Sequence, residues 1–131
     1  MMEKDESSES GHRLIVSRSH AGDVHKRVEG VLDPPPVVTP AGGAGYKVWE
    51  VLAGKQDAYV HSTLIKKWDL CAGAGILASV RGRMTTLEGR DIQFGDRKEA
   101  KNEGGVVAAR RNHKEYVRAF QTTGWNYEAE Q

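Results

Sequence analysis

His61-Ser-Thr-Leu-Ile-Lys-Lys-Trp68-Asp69-Leu-Cys-Ala-Gly-Ala-Gly-Ile-Leu77 reads as an extended segment, a tight turn, and then a helix that begins at a carboxylate. From Leu70 onward only small or aliphatic residues occur until Ser79, so the helix offers water no polar face and is expected to be buried. A buried helix start must satisfy its free amide donors, and Asp69 is placed to do so as N-cap. The same acid has a second use, as a metal ligand facing a cleft with Lys66 and Lys67 close by. Residue types alone leave both uses open.

Working outward, Asp57-Ala-Tyr-Val-His61 is a strand aimed at that acid, with Gly54 as the stop of a preceding helix. That helix, Tyr46 to Ala53, carries an apolar stripe of Val48, Trp49 and Leu52. It follows Ala41-Gly-Gly-Ala-Gly45, a turn whose amides can approach an anion at a helix N-terminus. The string is neither a dinucleotide fingerprint nor a P-loop, and a plain tight turn accounts for it equally well. Lys47 stands where a cation opposes the helix dipole, a placement easier to explain if a phosphate neutralises it.

Earlier in the chain, Leu14-Ile-Val16 is a short buried strand running into the loop Ser17-Arg-Ser-His20. Ala21 to Leu32 places Val24, Val28, Val31 and Leu32 at helical spacing, and Asp33-Pro-Pro-Pro36 ends that helix. Val37-Val38 resumes as a strand before Pro40. Beyond the apolar helix, Arg83 to Leu87 is a strand, Glu88-Gly89 a turn, and Asp91 to Phe94 a segment able to pair with it. Gly95 to Asn102 reads as a charged surface loop, Gly104 to Ala109 as a last strand. A last helix runs from Asn112 to Phe120 with Tyr116, Val117 and Phe120 inward.

Strands alternating with helices predict an α/β fold, a mainly parallel or mixed sheet flanked by helices. Residues 13–120 form one domain in this reading, 1–12 a disordered segment too polar to repay its ordering entropy, and 121–131 a tail without period. Three loops, Ser17 to His20, Gly42 to Lys47 and Thr63 to Asp69, follow strands and should open on one rim of the sheet.

Composition narrows the partners. Nineteen Lys and Arg against eighteen Asp and Glu in 131 residues give a net charge of +1, so no global field argues for nucleic acid or a membrane surface. Arg81, Arg83, Arg90, Arg110 and Arg111 collect locally, and without aromatic interleaving they read as a solvated face. The one cysteine, Cys71, excludes an internal disulfide and is expected to be a buried small side chain. No stretch approaches the roughly 20 apolar residues of a bilayer span, and the polar, acidic N-terminus is unlike a signal, so the chain as it stands reads as soluble.

The string Trp68-Asp69-Leu-Cys-Ala-Gly with Ile76-Leu77 and Gly82 resembles the C-terminal signature of the inositol monophosphatase superfamily, magnesium-dependent phosphomonoesterases. Gly42-Gly-Ala-Gly-Tyr-Lys47, Ile65 to Asp69 and Met84-Thr-Thr-Leu87 resemble the branch of Golgi-resident phosphatases acting on 3′-phosphoadenosine 5′-phosphate (PAP). The resemblance implies the C-terminal half of that family's layered sandwich and a Golgi location. It also implies a PAP 3′-phosphatase activity giving AMP and phosphate, a Mg2+ ion held by Asp69, and nucleotide contacts from Ser17, His20, Gly43 and Lys47. Alternatives are an inositol monophosphate substrate or a non-catalytic nucleotide-binding remnant.

The family's helix-borne glutamate and its Asp-Pro-x-Asp-Gly/Ala-Ser/Thr loop are absent, and Asp33-Pro-Pro-Pro36 is not that loop. The chain alone is therefore expected to have little or no phosphatase activity, with a partner chain or a missing N-terminal half completing the site. Two local departures are Arg81-Gly82 in place of Gly-Gly, and Gly75 inside the apolar helix.

Overall fold

Leu14, Ile15 and Val16 are all essentially inaccessible to water, and strand alternation sends Leu14 and Val16 to one face of a sheet and Ile15 to the other. A strand buried on both faces needs a layer on each side. In the computed structural model, which describes residues 11–18, 21–28, 30–61, 65–66, 68–92, 101–102 and 105–122, both layers are present.

The main sheet comprises β1 (Arg13–Ser17), β2 (Val37–Ala41), β3 (Ala58–His61), β5 (Arg83–Thr85) and β7 (Val106–Ala109), in the order β2-β1-β3-β7-β5. β2 and β3 run parallel to β1, whereas β7 is antiparallel to both β3 and β5. The sheet is therefore mixed, within the α/β class expected. On one face, α1 (Ala21–Val28) and α4 (His113–Thr122) bring Val24, Val28, Tyr116 and Phe120 onto Leu14, Val16, Val60 and Val107. On the other, α2 (Ala44–Leu52) and α3 (Trp68–Ser79) bring Val48, Val51, Leu70 and Leu77 onto Ile15, Tyr59 and Ala108. Each large side chain so buried contributes up to about 1.5–3 kcal/mol.

Pro40 is tolerated inside β2 because of strand parity. Val37 N–H donates to the His12 carbonyl at 2.8 Å, so the amides of residues 38 and 40 point away from β1, where proline has no hydrogen to lose.

Several expectations are corrected. α3 is not buried all round: Leu70 and Leu77 are, but Ile76 is 53% exposed and Cys71 faces solvent. A helix of alanine, glycine and aliphatic residues carries no polar mark to tell its outer face from its inner one. In α2 the inward residues are Lys47, Val48, Glu50 and Val51, while Trp49 is 60% exposed. α1 stops at Val28, short of Leu32, with Gly30 at φ 87 just beyond. Asp69 is not the N-cap, because α3 already includes Trp68 and places the acid in its first turn. Finally, β6 (Lys101–Asn102) pairs antiparallel with β4 (Ile65–Lys66), where a surface loop was expected. Residues 93–100 lie outside the described set.

Candidate active-site rim

β1 pairs with β2 in a register that sets Ser17 opposite Ala41, so the serine ends its strand beside the turn that opens α2. The turn is built by Gly43, which caps α2 at φ 81 and ψ 117, a backbone region that a side chain would disfavour. β3, parallel to β1, delivers His61 to the same rim.

α3 reaches this rim from the far side. Its C-terminal end turns at Gly82, where an added Cβ would lie 2.8 Å from the Ala109 carbonyl, at the point where β7 ends and β5 begins. Twelve residues at 1.5 Å rise span about 18 Å, roughly the height of a five-residue strand, so its N-terminus returns to the rim of Ser17 and Gly43. α2 and α3 touch closely on the way, an added Cβ at Gly73 coming within 2.8 Å of Val48 Cγ1. The backbone thus carries Ser17, Gly43, Lys47 and Asp69 to one end of the molecule. His20 and the side chain of Asp69 lie outside the described residues.

Lys47 is the unusual member. It is 4% exposed, its Nζ donates to the Ala41 carbonyl at 3.0 Å, and the ammonium lies 5.4 Å from the centroid of the Tyr59 ring. Desolvation chiefly, and the nearby Arg18 guanidinium secondarily, hold its pKa below the usual lysine value. Among the described residues no carboxylate pairs with it. Sequence reading missed Tyr59 and Arg18 as its neighbours. The period-two pattern of Ala58-Tyr59-Val60 marks Tyr59 as facing α2, but only the parallel pairing of β1 and β3 places it under the lysine.

Divalent magnesium takes several hard oxygen ligands together. Among the described residues no three His, Cys, Asp or Glu side chains stand together as a metal site, so the residues described do not by themselves fit a metal centre. No described helix is long and apolar enough to cross a membrane.

A mixed sheet sandwiched by helices carries a glycine turn, a buried ammonium and the head of an acid-bearing helix on one rim, in an α/β layered fold. The model of the inositol monophosphatase family matches residues 4–124, and the chain belongs to that family. It is 42% identical over 122 residues to inositol monophosphatase 3 of Danio rerio, covering 88% of this chain and 35% of the relative. To the human Golgi-resident adenosine 3′,5′-bisphosphate 3′-phosphatase it is 42% identical over 118 residues, 85% of this chain and 32% of the relative. The chain therefore spans about a third of the length of these relatives.

Among solved structures, the inositol monophosphatase of Anabaena superposes with a TM-score of 0.63 at 20% identity, over 86% of this chain and 44% of that one. Inositol monophosphatase II of Staphylococcus aureus gives 0.61 at 18% identity, over 83% and 41%. The fold is that of the inositol monophosphatases.

Proposed function

We propose that this chain forms the C-terminal, substrate-binding part of a phosphomonoesterase acting on PAP, and that alone it binds the nucleotide without hydrolysing it. The observation that carries this reading is Lys47: an ammonium 4% exposed, met among the described residues by a carbonyl and a ring face, beside a second cation. A bound phosphate at the Gly42-Gly43 turn would neutralise it and receive amide hydrogens at the start of α2.

In this reading Gly43 shapes the turn, and Lys47 braces it through the Ala41 carbonyl while supplying charge from beneath. Ser17, set opposite Ala41, and His20 contact the nucleotide, and Asp69 at the head of α3 contributes one ligand to a Mg2+ ion. Such an ion, held by Asp69 together with ligands from elsewhere, would supply polarisation of the phosphoryl oxygens and activation of water. The remaining ligands come from polypeptide resembling the rest of the relatives' length. The Golgi location of the similar human and rat phosphatases extends to this chain as part of the same proposal.

Two measurements test it. Calorimetry with adenosine 3′,5′-bisphosphate should give saturable binding that Lys47→Met weakens at least about ten-fold, the loss of one buried charge-assisted contact. Equal titrations of parent and variant would remove the basis of the assignment. Phosphate release from PAP with magnesium should stay at background in parent and Asp69→Asn alike, and turnover abolished by Asp69→Asn would show that the chain is complete.

A further inference from the structure

At the rim opposite Lys47, β7 ends, β5 begins and α4 starts. Arg81, Arg83, Arg110, Asn112, His113 and Lys114 line a cleft there of about 260 Å³. Three arginines and a lysine converge, with no acid among the described lining residues. Arg83 also bonds the Asp91 carboxylate at 2.9 Å on its exposed side.

His113 lines the same cleft. It is 8% exposed, and Thr85 Oγ1 lies 2.9 Å from its Nε2. Because that hydroxyl spends its own hydrogen on the Thr86 carbonyl at 2.9 Å, the network assigns the ring proton to Nε2. The Val107 backbone also bonds the ring, and Nδ1 is buried out of contact with solvent.

Guanidinium forks match the oxygens of a phosphoryl or sulfuryl group, and the amides at the start of α4 add to the same field. The volume is below the roughly 300–1,000 Å³ of sites that enclose drug-sized ligands. We propose that this cleft is a second anion site, sized for one phosphoryl or sulfuryl group, held by the guanidinium groups and Lys114. It stands on the far rim and does not rest on the function proposed for Lys47.

Nuclear magnetic resonance titration of the isotope-labelled full chain tests it, using inorganic phosphate, inorganic sulfate and glycerol phosphate at constant ionic strength. Saturable shifts are expected at the amides of Asn112, His113 and Lys114. Affinity should fall about two- to five-fold in Arg81→Gly and again in Lys114→Ala, as for loss of one accessible charge pair. Equal affinity for the inorganic ions and the ester identifies a free anion, and tighter ester binding a phosphomonoester; both sustain the site. Shifts that grow without saturating, shifts confined to Gly42 to Lys47, or parent-like titration of both variants would overturn it.

Discussion

Burial takes Lys47 out of water without giving it a carboxylate among the described residues, and its pKa falls, through desolvation first and Arg18 second. Between that lowered value and the unfolded one near 10.4, the unfolded chain binds more protons, so stability rises with pH through this window. Lys47→Met should remove the rise and raise stability near neutrality by about 1 kcal/mol, read from urea denaturation at pH 7 and pH 9. Arg81 is the second costly residue, at φ 67 in the position after α3 where glycine is favoured. The αL conformation costs an L-residue roughly 1–2 kcal/mol, so Arg81→Gly should stabilise by about 1 kcal/mol, measured as a higher denaturation midpoint. The departure from Gly-Gly at Arg81-Gly82 is visible in the sequence. Its backbone cost is not, because φ follows from how Gly82 N–H reaches the Leu77 carbonyl at 2.8 Å.

Among elements, α3 separates two glycines that look alike as letters. An added Cβ at Gly73 meets three Val48 atoms between 2.8 and 3.3 Å, and valine cannot rotate away as a long chain would, whereas at Gly75 nothing lies within 4 Å. Gly73→Ala should therefore destabilise by about 1–3 kcal/mol, while Gly75→Ala stabilises by about 1 kcal/mol through helix propensity alone, as thermal melts of the pair would show. The existence of α2 and α3 was legible from apolar runs and glycine punctuation. Which sides they bury was not, since Trp49 and Ile76 are apolar yet exposed. Leu14 to Val16, in contrast, fixed a doubly covered strand from three letters, because only burial on both faces suits an unbroken aliphatic run. The pairing of β4 with β6 joins segments far apart in sequence, and each is too short to carry a period.

For the molecule as a whole, the parallel register of β1, β2 and β3 separates two rims of different chemistry. The upper one was foreseeable from strand-then-loop order, while the lower basic cleft was read only as a solvated face, since nothing local joins Arg81 to Lys114. His113 links that cleft to global stability: desolvation first and Arg83 second lower its pKa, against a smaller opposite pull from the Val107 backbone. As pH falls below about 6.5 the unfolded chain takes up its proton first, so stability is lost on acidification until the lowered folded pKa is passed. Urea denaturation at pH 7.5 and 5.5, in buffer free of phosphate and sulfate, should show a smaller acid loss in His113→Gln than in the parent. The outward parity of Pro40 has a consequence for how copies of this chain behave when crowded. Among the described residues β2 bounds the sheet, and past Val38 it has no amide with which to recruit a visiting strand, so the long flank of the sheet is a poor template for aggregation.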